Sequence, residues 1–348
     1  MGGYVREAME EHMGAVVKHA LVIAGTALIM GMGSALAATM DQKSSSGIEQ
    51  AKRATVGILQ PGEDVQSPGS KAHFMMRGTG VHLRDGYILT AQHVVERDED
   101  GKKVLAKQIT IMTTELEEVL ATLTGGNAFL DIAVYRVSAD IAARLSTASF
   151  AEAEPVSGDE VFTVGYPLGW GPAIGFGRVG NPNTFLPTVE TRLFQLDLSA
   201  CSGSSGGGLF NTKAELVGLM HAVIQTETVQ GEQRCSRFGF AVPGALVQRV
   251  VTTLTQGAQP SFSRVGIALA PVRMGTKWRV AVAEATGPAR EGGLQKGDVL
   301  LSIENTEITD AAQLKNYLIE RTTPGQRVAF RVLRGQHEHV LHVTLGTS

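Results

Sequence analysis

A surplus of charge of either sign is the first thing this 348-residue chain lacks: 31 Lys and Arg stand against 34 Asp and Glu, a net charge of −3. The sequence pI is near 6.3. So even a balance gives no grip on a phosphate backbone and excludes nucleic acid as the partner. Proline is scarce, at 12 residues against 41 Gly, and the glycines follow no three-residue period. Neither collagen nor a disordered polymer fits. Only two cysteines occur, and no long hydrophobic run follows residue 40. What is present is globular: 43% hydrophobic and 19% charged residues, in a chain long enough for two domains with a sizeable core.

The one long apolar stretch runs from Ala20 to Leu36, after Lys18 and His19, and ends in Ala35-Leu36-Ala37. A basic flank, an apolar region and an A-x-A site form the layout of a secretory signal peptide over 1–37. An uncleaved membrane anchor is the alternative, since about 20 residues span a bilayer. Gly25, Gly31 and Gly33 favour cleavage. Either way the rest of the chain is expected outside the cytoplasm, in the periplasm. In an oxidising compartment Cys201 and Cys235 read as a disulfide, with two buried thiols as the alternative.

Residues 51 to 242 hold short β-branched or alternating runs punctuated by Gly, Pro and Asn, among them Ala54–Leu59, Tyr87–Leu89, Gln108–Met112, Ile132–Val137, Glu160–Gly165, Leu193–Leu198, Leu216–Val223 and Arg237–Val242. Many short strands between turn signals point to a barrel or sandwich. Leu246, Val247, Val250, Val251 and Leu254 then recur at helical spacing and close a first domain over 38–254. A Gln, Gly, Pro and Ser-containing linker over 255–263 follows. A second unit over 264–345 alternates five strand-like runs with two helices, the second capped by Asp310 with Gln313 three residues on.

The strongest local signal is Asp197-Leu-Ser-Ala-Cys201-Ser-Gly203-Ser-Ser205-Gly-Gly-Gly208-Leu-Phe. A Gly/Ser run is ordinarily a linker, but this one is flanked directly by strand patterns, which favours a tight functional turn. Glycines beside Ser205 permit unusual backbone angles and close approach of a carbonyl, and the N–H groups of Gly203 and Ser205 could converge on an oxyanion. A serine hydroxyl needs a base. His93 lies at a strand end in Ile88-Leu-Thr90-Ala-Gln-His93, and Asp131 opens the apolar strand Asp131-Ile-Ala-Val-Tyr-Arg-Val. Alone, each has a bland reading, as a surface histidine and as a turn-forming aspartate. Their order along one β-rich domain, His, Asp, Ser, lifts them together.

Those residues carry a resemblance. GTGVHLRDGYILTAQHVV, DIAVYRV, VGYPLG, GSSGGGLF and RFGFAVP, in this order, resemble the HtrA (high-temperature-requirement) family of trypsin-like serine proteases. Arg264-Val-Gly-Ile267 and Gly293-Leu-Gln-Lys-Gly-Asp-Val-Leu300 resemble that family's PDZ motifs. The resemblance covers about 50–345. It implies a mainly β protein: a chymotrypsin-like double β-barrel protease domain, then an α+β PDZ domain. It further implies His93 as general base, Asp131 as its orienting partner, Ser205 as nucleophile, and Gly203 with Ser205 as oxyanion hole. Met220, His221, Ala222 and Val223 would pair with substrate backbone. Val265, Gly266 and Ile267 would hold a peptide's C-terminal carboxylate, with Ile267, Leu269, Leu314 and Leu318 lining the groove; these four could equally be core. The family departures are Ser204 for Asn, Gly208 for Pro, and Cys201. The position of Cys201 resembles that of the disulfide beside the specificity pocket in digestive trypsin-like proteases. Residues 60–73, where some relatives carry a long regulatory insertion, are few, which argues against cage assembly by that loop.

His337, His339 and His342 fall on both faces of one strand and complete no metal set, and Glu96–Lys103 reads as a solvated loop. Neither metal nor cofactor is expected. Three functions remain open: an exported endopeptidase for unfolded proteins in quality control and stress response, regulated through PDZ binding of C-terminal peptides and trimeric as the family implies; an anchored protease with one signalling substrate; and a catalytically silent peptide-binding scaffold.

Overall fold

The computed structural model describes residues 46–59, 76–169, 171–186, 191–223 and 236–347. The expected signal segment 1–37 and the stretch 60–73 lie outside the described residues. Eight strands build the first part of the N-terminal region: β1 (Thr55–Leu59), β2 (Met76–His82), β3 (Tyr87–Ala91), β4 (Glu96–Glu99), β5 (Lys102–Leu105), β6 (Gln108–Met112), β7 (Glu118–Asn127) and β8 (Ile132–Arg136). Six of them close a barrel in the order β1-β2-β3-β8-β7-β6. Its core is the inward half of each alternation, with Val56, Ile58, Ile88, Ile111, Ala133 and Tyr135 all at 1% exposure or less. The Tyr135 hydroxyl still finds the Ala106 carbonyl at 2.7 Å, as a buried phenol must.

A second closed barrel follows, from β9 (Glu160–Gly165), β10 (Ala173–Thr184), β11 (Leu193–Ala200), β12 (Gly208–Asn211), β13 (Leu216–Val223) and β14 (Ser236–Pro243), ordered β10-β11-β14-β13-β12-β9. Gly177 of β10 is required there, because a Cβ would collide with the Asp197 carbonyl of β11. A short helix, α1 (Gln92–Val95), leaves β3, and α2 (Gly244–Thr255) leaves β14. The five apolar residues expected on one face of α2 are all buried, against β7 and β8 of the first barrel and β13 of the second.

The C-terminal region comprises β15 (Ser263–Arg264), β16 (Ile267–Met274), β17 (Lys277–Ala285), α3 (Gly287–Glu291), β18 (Val299–Ile303), β19 (Thr306–Glu307), α4 (Ala311–Arg321), β20 (Arg327–Arg334), β21 (His337–Thr344) and β22 (Gly346–Thr347). Its main sheet runs β16-β17-β18-β20-β21, with β16 at one edge. Asp310 caps α4 as expected, its Oδ1 accepting the Gln313 N–H at 2.8 Å.

The run Glu96–Lys103 is not the solvated loop expected from its charges. It is the β4–β5 hairpin, closed by Asp100 and Gly101 at φ 54° and 77°. Two successive positive φ values make the primed turn that a two-residue hairpin prefers, and the Asp-Gly pair is its signature.

Candidate active site

Asp131 sits in the turn between β7 and β8 at φ 56°, a left-handed angle that aspartate tolerates better than most residues. The turn is tied at both ends: Asn127 Oδ1 accepts the Leu130 N–H at 3.0 Å, and the Asp131 carbonyl accepts the Gln92 N–H at 2.9 Å. The carboxylate is thereby brought under α1. Its Oδ1 accepts the His93 backbone N–H at 2.8 Å, and its Oδ2 lies 2.6 Å from His93 Nδ1. One carboxylate thus holds both the backbone and the ring of the histidine, whose side chain is 43% exposed toward solvent.

Ser205 lies in the β11–β12 turn, which is shaped by its own backbone. The Ser204 N–H bonds the Cys201 carbonyl and the Gly207 N–H bonds the Ser204 carbonyl, both at 3.0 Å. Ser204 Oγ, standing where the resemblance expects asparagine, accepts the Cys201 N–H at 3.3 Å. Gly203 and Gly206 take φ 95° and 82°. A Cβ on Gly206 would overlap the Thr79 carbonyl and Thr90 Oγ1 of the first barrel, so glycine is required at that contact. Gly203 is buried, and neither its N–H nor that of Ser205 has an acceptor among the described residues. Two free N–H groups in one turn are what an oxyanion would need.

Thr79 of β2, absent from the sequence-based site, holds this turn from across the barrel boundary. It is fully buried; its N–H donates to the Ser205 carbonyl at 2.9 Å, and its hydroxyl donates to the Gly203 carbonyl at 2.7 Å. That hydroxyl also accepts the Tyr166 N–H at 3.0 Å. In the sequence it is one β-branched residue in a strand, with nothing to set it apart.

Ser205 Oγ does not donate to His93. Its partner is the His221 carbonyl, at 3.3 Å. His221 occupies a bulge in β13 between Met220 and Ala222. Its ring turns toward Asp131, with Nδ1 2.8 Å from the same Oδ2 but buried and out of line for a hydrogen bond. Burial pushes the Asp131 carboxyl up, but the two histidines beside it outweigh that and hold it well below the usual carboxylate range.

Among the residues expected to pair with substrate, Met220 points inward at 1% exposure. Its carbonyl and N–H are already taken by Gly206 and Gly207, both at 2.8 Å. The side chains of Ala222 and Val223 lie outside the described residues, as does Cys235. Cys201 is disulfide-bonded.

In the C-terminal region the Val265 carbonyl accepts the Ala289 N–H at 2.8 Å and the Gly266 carbonyl accepts the Thr286 N–H at 2.7 Å. Because each peptide is planar and trans, the N–H groups of Gly266 and Ile267 point the opposite way, off the free edge of β16. Leu314 and Leu318 of α4 are buried in the core cluster, and Ile267 and Leu269 pack partly exposed against it. The leucines on the helix are therefore core, while the two strand residues still reach the surface.

Comparison with known proteins agrees with this architecture. A trypsin-like peptidase domain is matched over residues 78–219 and a PDZ domain over 263–345. A probable periplasmic serine endoprotease, DegP-like, from Halomonas elongata is 30% identical over 296 residues, covering 80% of this chain and 59% of that protein. The Do-like serine protease HtrB of Bacillus subtilis is 24% identical over 285 residues, covering 74% and 59%. The chain thus spans somewhat under three-fifths of the length of these curated relatives. In fold, the HtrA-type protease AlgW with decapeptide superposes at a TM-score of 0.67 with 23% identity, covering 88% of this chain and 98% of that one. A serine endoprotease from Yersinia pestis gives 0.60 and 24%. Fold and domain order define a trypsin-like peptidase domain joined to one PDZ domain. Within that class the chain is similar in sequence to DegP-like and Do-like serine proteases and in fold to HtrA-type proteases.

Proposed function

We propose that the chain is an exported serine endopeptidase acting on unfolded or damaged proteins, with the protease domain over 38–254, a linker over 255–263 and the PDZ domain over 264–345. The observation that carries this reading is the doubly held His93–Asp131 pair facing a nucleophile turn with free N–H groups. His93 Nε2 takes the Ser205 proton as Oγ attacks a peptide carbonyl, and Asp131 keeps the imidazole in the tautomer with hydrogen on Nδ1. The N–H groups of Gly203 and Ser205 receive the oxyanion. The imidazole then protonates the leaving amine, and water repeats the sequence on the acyl-enzyme. A Cys201–Cys235 bridge holds the wall beside the turn.

The Ser205 hydroxyl resting on the His221 carbonyl favours one refinement: the enzyme is regulated, and Oγ turns to His93 when substrate takes that carbonyl. A C-terminal peptide on the β16 edge is the fitting effector, since the edge offers Gly266 and Ile267 N–H groups and the Ile267 and Leu269 side chains. The family resemblance adds a homotrimer, which sedimentation would test. Periplasmic location follows from the expected signal segment and from the DegP-like relatives. Among the described residues no helix is long and apolar enough to cross a membrane.

The deciding experiment is fluorophosphonate labelling of the purified chain beside Ser205→Ala, with casein digestion in parallel. Labelling of wild type alone, with casein cleaved, is expected. No labelling with or without added C-terminal peptides would reject the protease reading in favour of a peptide-binding scaffold.

A further inference from the structure

Two imidazoles converge on one carboxylate oxygen in this site, and the triad chemistry uses only one of them. His93 Nδ1 and His221 Nδ1 lie 2.6 and 2.8 Å from Asp131 Oδ2, and ligand atoms of the three residues fall within 4.8 Å of one another. The two rings stand nearly perpendicular, at 88°, with centroids 6.0 Å apart. They approach the oxygen from different directions and do not stack. His221 Nδ1 is buried with no aligned hydrogen bond. A buried ring nitrogen without an aligned partner costs stability. We propose that His93, Asp131 and His221 form a binding site for a divalent transition metal of the zinc class, and that the bound ion switches off His93 as a base.

The donor set suits such an ion. Two neutral imidazoles and one carboxylate are the borderline nitrogen and oxygen ligands that zinc takes, with a fourth position left for water. Asp131 Oδ1 stays hydrogen-bonded to the His93 N–H, which orients the carboxylate from behind in the manner of an outer-shell partner. Tetrahedral bonds of about 2.0–2.1 Å would need the nitrogens to move away from Oδ2 by about 0.5–0.8 Å. The partly exposed His93 ring has room for that shift. The same exposure gives the ion its path in from the cleft.

The inhibitory consequence follows from proton placement. A metal on His93 Nδ1 needs the lone pair there, so the ring's single proton moves to Nε2. Nε2 is then a donor and cannot accept the Ser205 proton. No net proton is lost and no bond to substrate is involved. This consequence rests on the serine-protease reading, while metal binding itself does not.

The test separates the two. The full chain carrying Ser205→Ala is titrated with Co²⁺, read by visible absorption, and then with Zn²⁺ in competition. One high-affinity ion per chain is expected. Losing even an outer-shell partner costs 10–100-fold in affinity, so removing a ligand by His221→Thr should weaken binding by at least about 100-fold. His221→Asn is measured alongside, so that a folding defect in one variant does not decide the result, and His337→Asn/His339→Asn should bind as before. In the active chain, Zn²⁺ should block cleavage of a short peptide and EDTA should restore it, with the inhibition constant shifting by the same factor in His221→Thr. Unchanged binding in both folded His221 variants, or binding lost only with the His337/His339 pair, would overturn the proposal. A chain that binds zinc but never cleaves peptide would leave the site standing and reject the protease reading instead.

Discussion

The His93 ring is held in one tautomer by a carboxylate that also grips its backbone, so losing the charge and losing the geometry are separable defects. Asp131→Asn keeps the size and the turn but presents an amide to Nδ1, which favours the wrong tautomer. Turnover should fall by about 10⁴ with the melting temperature little changed, as read by peptide hydrolysis and calorimetry. A loss below about tenfold would remove Asp131 from the mechanism. Thr79 gives the complementary case, because it is fully buried behind the turn. Thr79→Val deletes one hydroxyl and strands both the Gly203 carbonyl and the Tyr166 N–H in a buried place. The expected cost is about 2–4 kcal/mol of stability. Slackening of the oxyanion turn should lower kcat by about 10–100-fold with KM less affected. A variant with unchanged kcat would show that the turn holds itself. The legibility of these residues differs for a physical reason. His93, Asp131 and Ser205 carry chemistry in their side-chain types, and the glycines beside Ser205 advertise unusual backbone angles. Thr79 acts through hydrogen bonds to residues 87 and 124 positions away, and a threonine in a strand announces only β propensity. His221 was placed by sequence on the substrate strand for its backbone. The bulge that turns its ring to Asp131 is a product of sheet register that composition does not encode.

Turns that hold sheet edges together have the same dependence on buried charge. In the segment Gly293-Leu-Gln-Lys-Gly-Asp298, the Asp298 side chain is 1% exposed and takes a two-point contact from Arg334 at 2.7 and 2.8 Å. It also accepts the Gln295 N–H at 2.9 Å, while Arg334 Nη2 reaches on to the Gly293 carbonyl at 2.8 Å. Burial pushes this carboxyl up, but the guanidinium and the Gln295 N–H win and lower it. A folded-state value below the unfolded one means the stabilisation is complete above the unfolded pKa, about 3.9, and is lost as pH falls through the folded value. The melting temperature should therefore be flat above about pH 5 and drop below about pH 4. Asp298→Ala should cost about 2–4 kcal/mol at neutral pH and remove much of that acid slope. A slope retained in Asp298→Ala would assign the acid sensitivity elsewhere. Element by element, the strands read from the sequence are those with an apolar face against one core, such as β8 and β13. β4, β5 and β10 lack that pattern along much of their length. β10 is glycine-rich because β11 passes so close to it, and β4 and the first half of β5 are charged on both faces.

Among the described residues, a buried guanidinium bridges the two folded parts of the molecule. Arg192, immediately before β11, has a side chain only 8% exposed and pairs with Glu154 of the protease region and Glu320 of α4. Its backbone N–H donates to Asn316 Oδ1 of the same helix at 2.9 Å, and Arg249 of α2 donates to the Ile319 carbonyl at 2.7 Å. In the sequence Arg192 is an ordinary charge ahead of an apolar strand, because its partners are contributed by both domains. The two carboxylates are not equivalent, since Glu154 is 39% exposed and Glu320 17%. Water can replace Arg192 around the first but not readily around the second. Glu154→Gln should therefore change stability by no more than about 1 kcal/mol. Arg192→Ala leaves Glu320 facing a desolvated gap and should cost on the order of 3 kcal/mol. That loss should fall on the joint rather than on either core, since neither barrel nor PDZ sheet depends on Arg192 for closure. Calorimetry should accordingly resolve two transitions where wild type gives one, and the radius of gyration from solution scattering should rise. Arg178→Ala is the matched control. Its pair with Glu160 is 61% and 62% exposed, so its removal should leave both measurements where they were. If Arg192→Ala melts in one transition at the wild-type radius, the Arg249 contact and the stacking of Phe262, just before β15, on Phe129, in the turn before β8, hold the domains together by themselves.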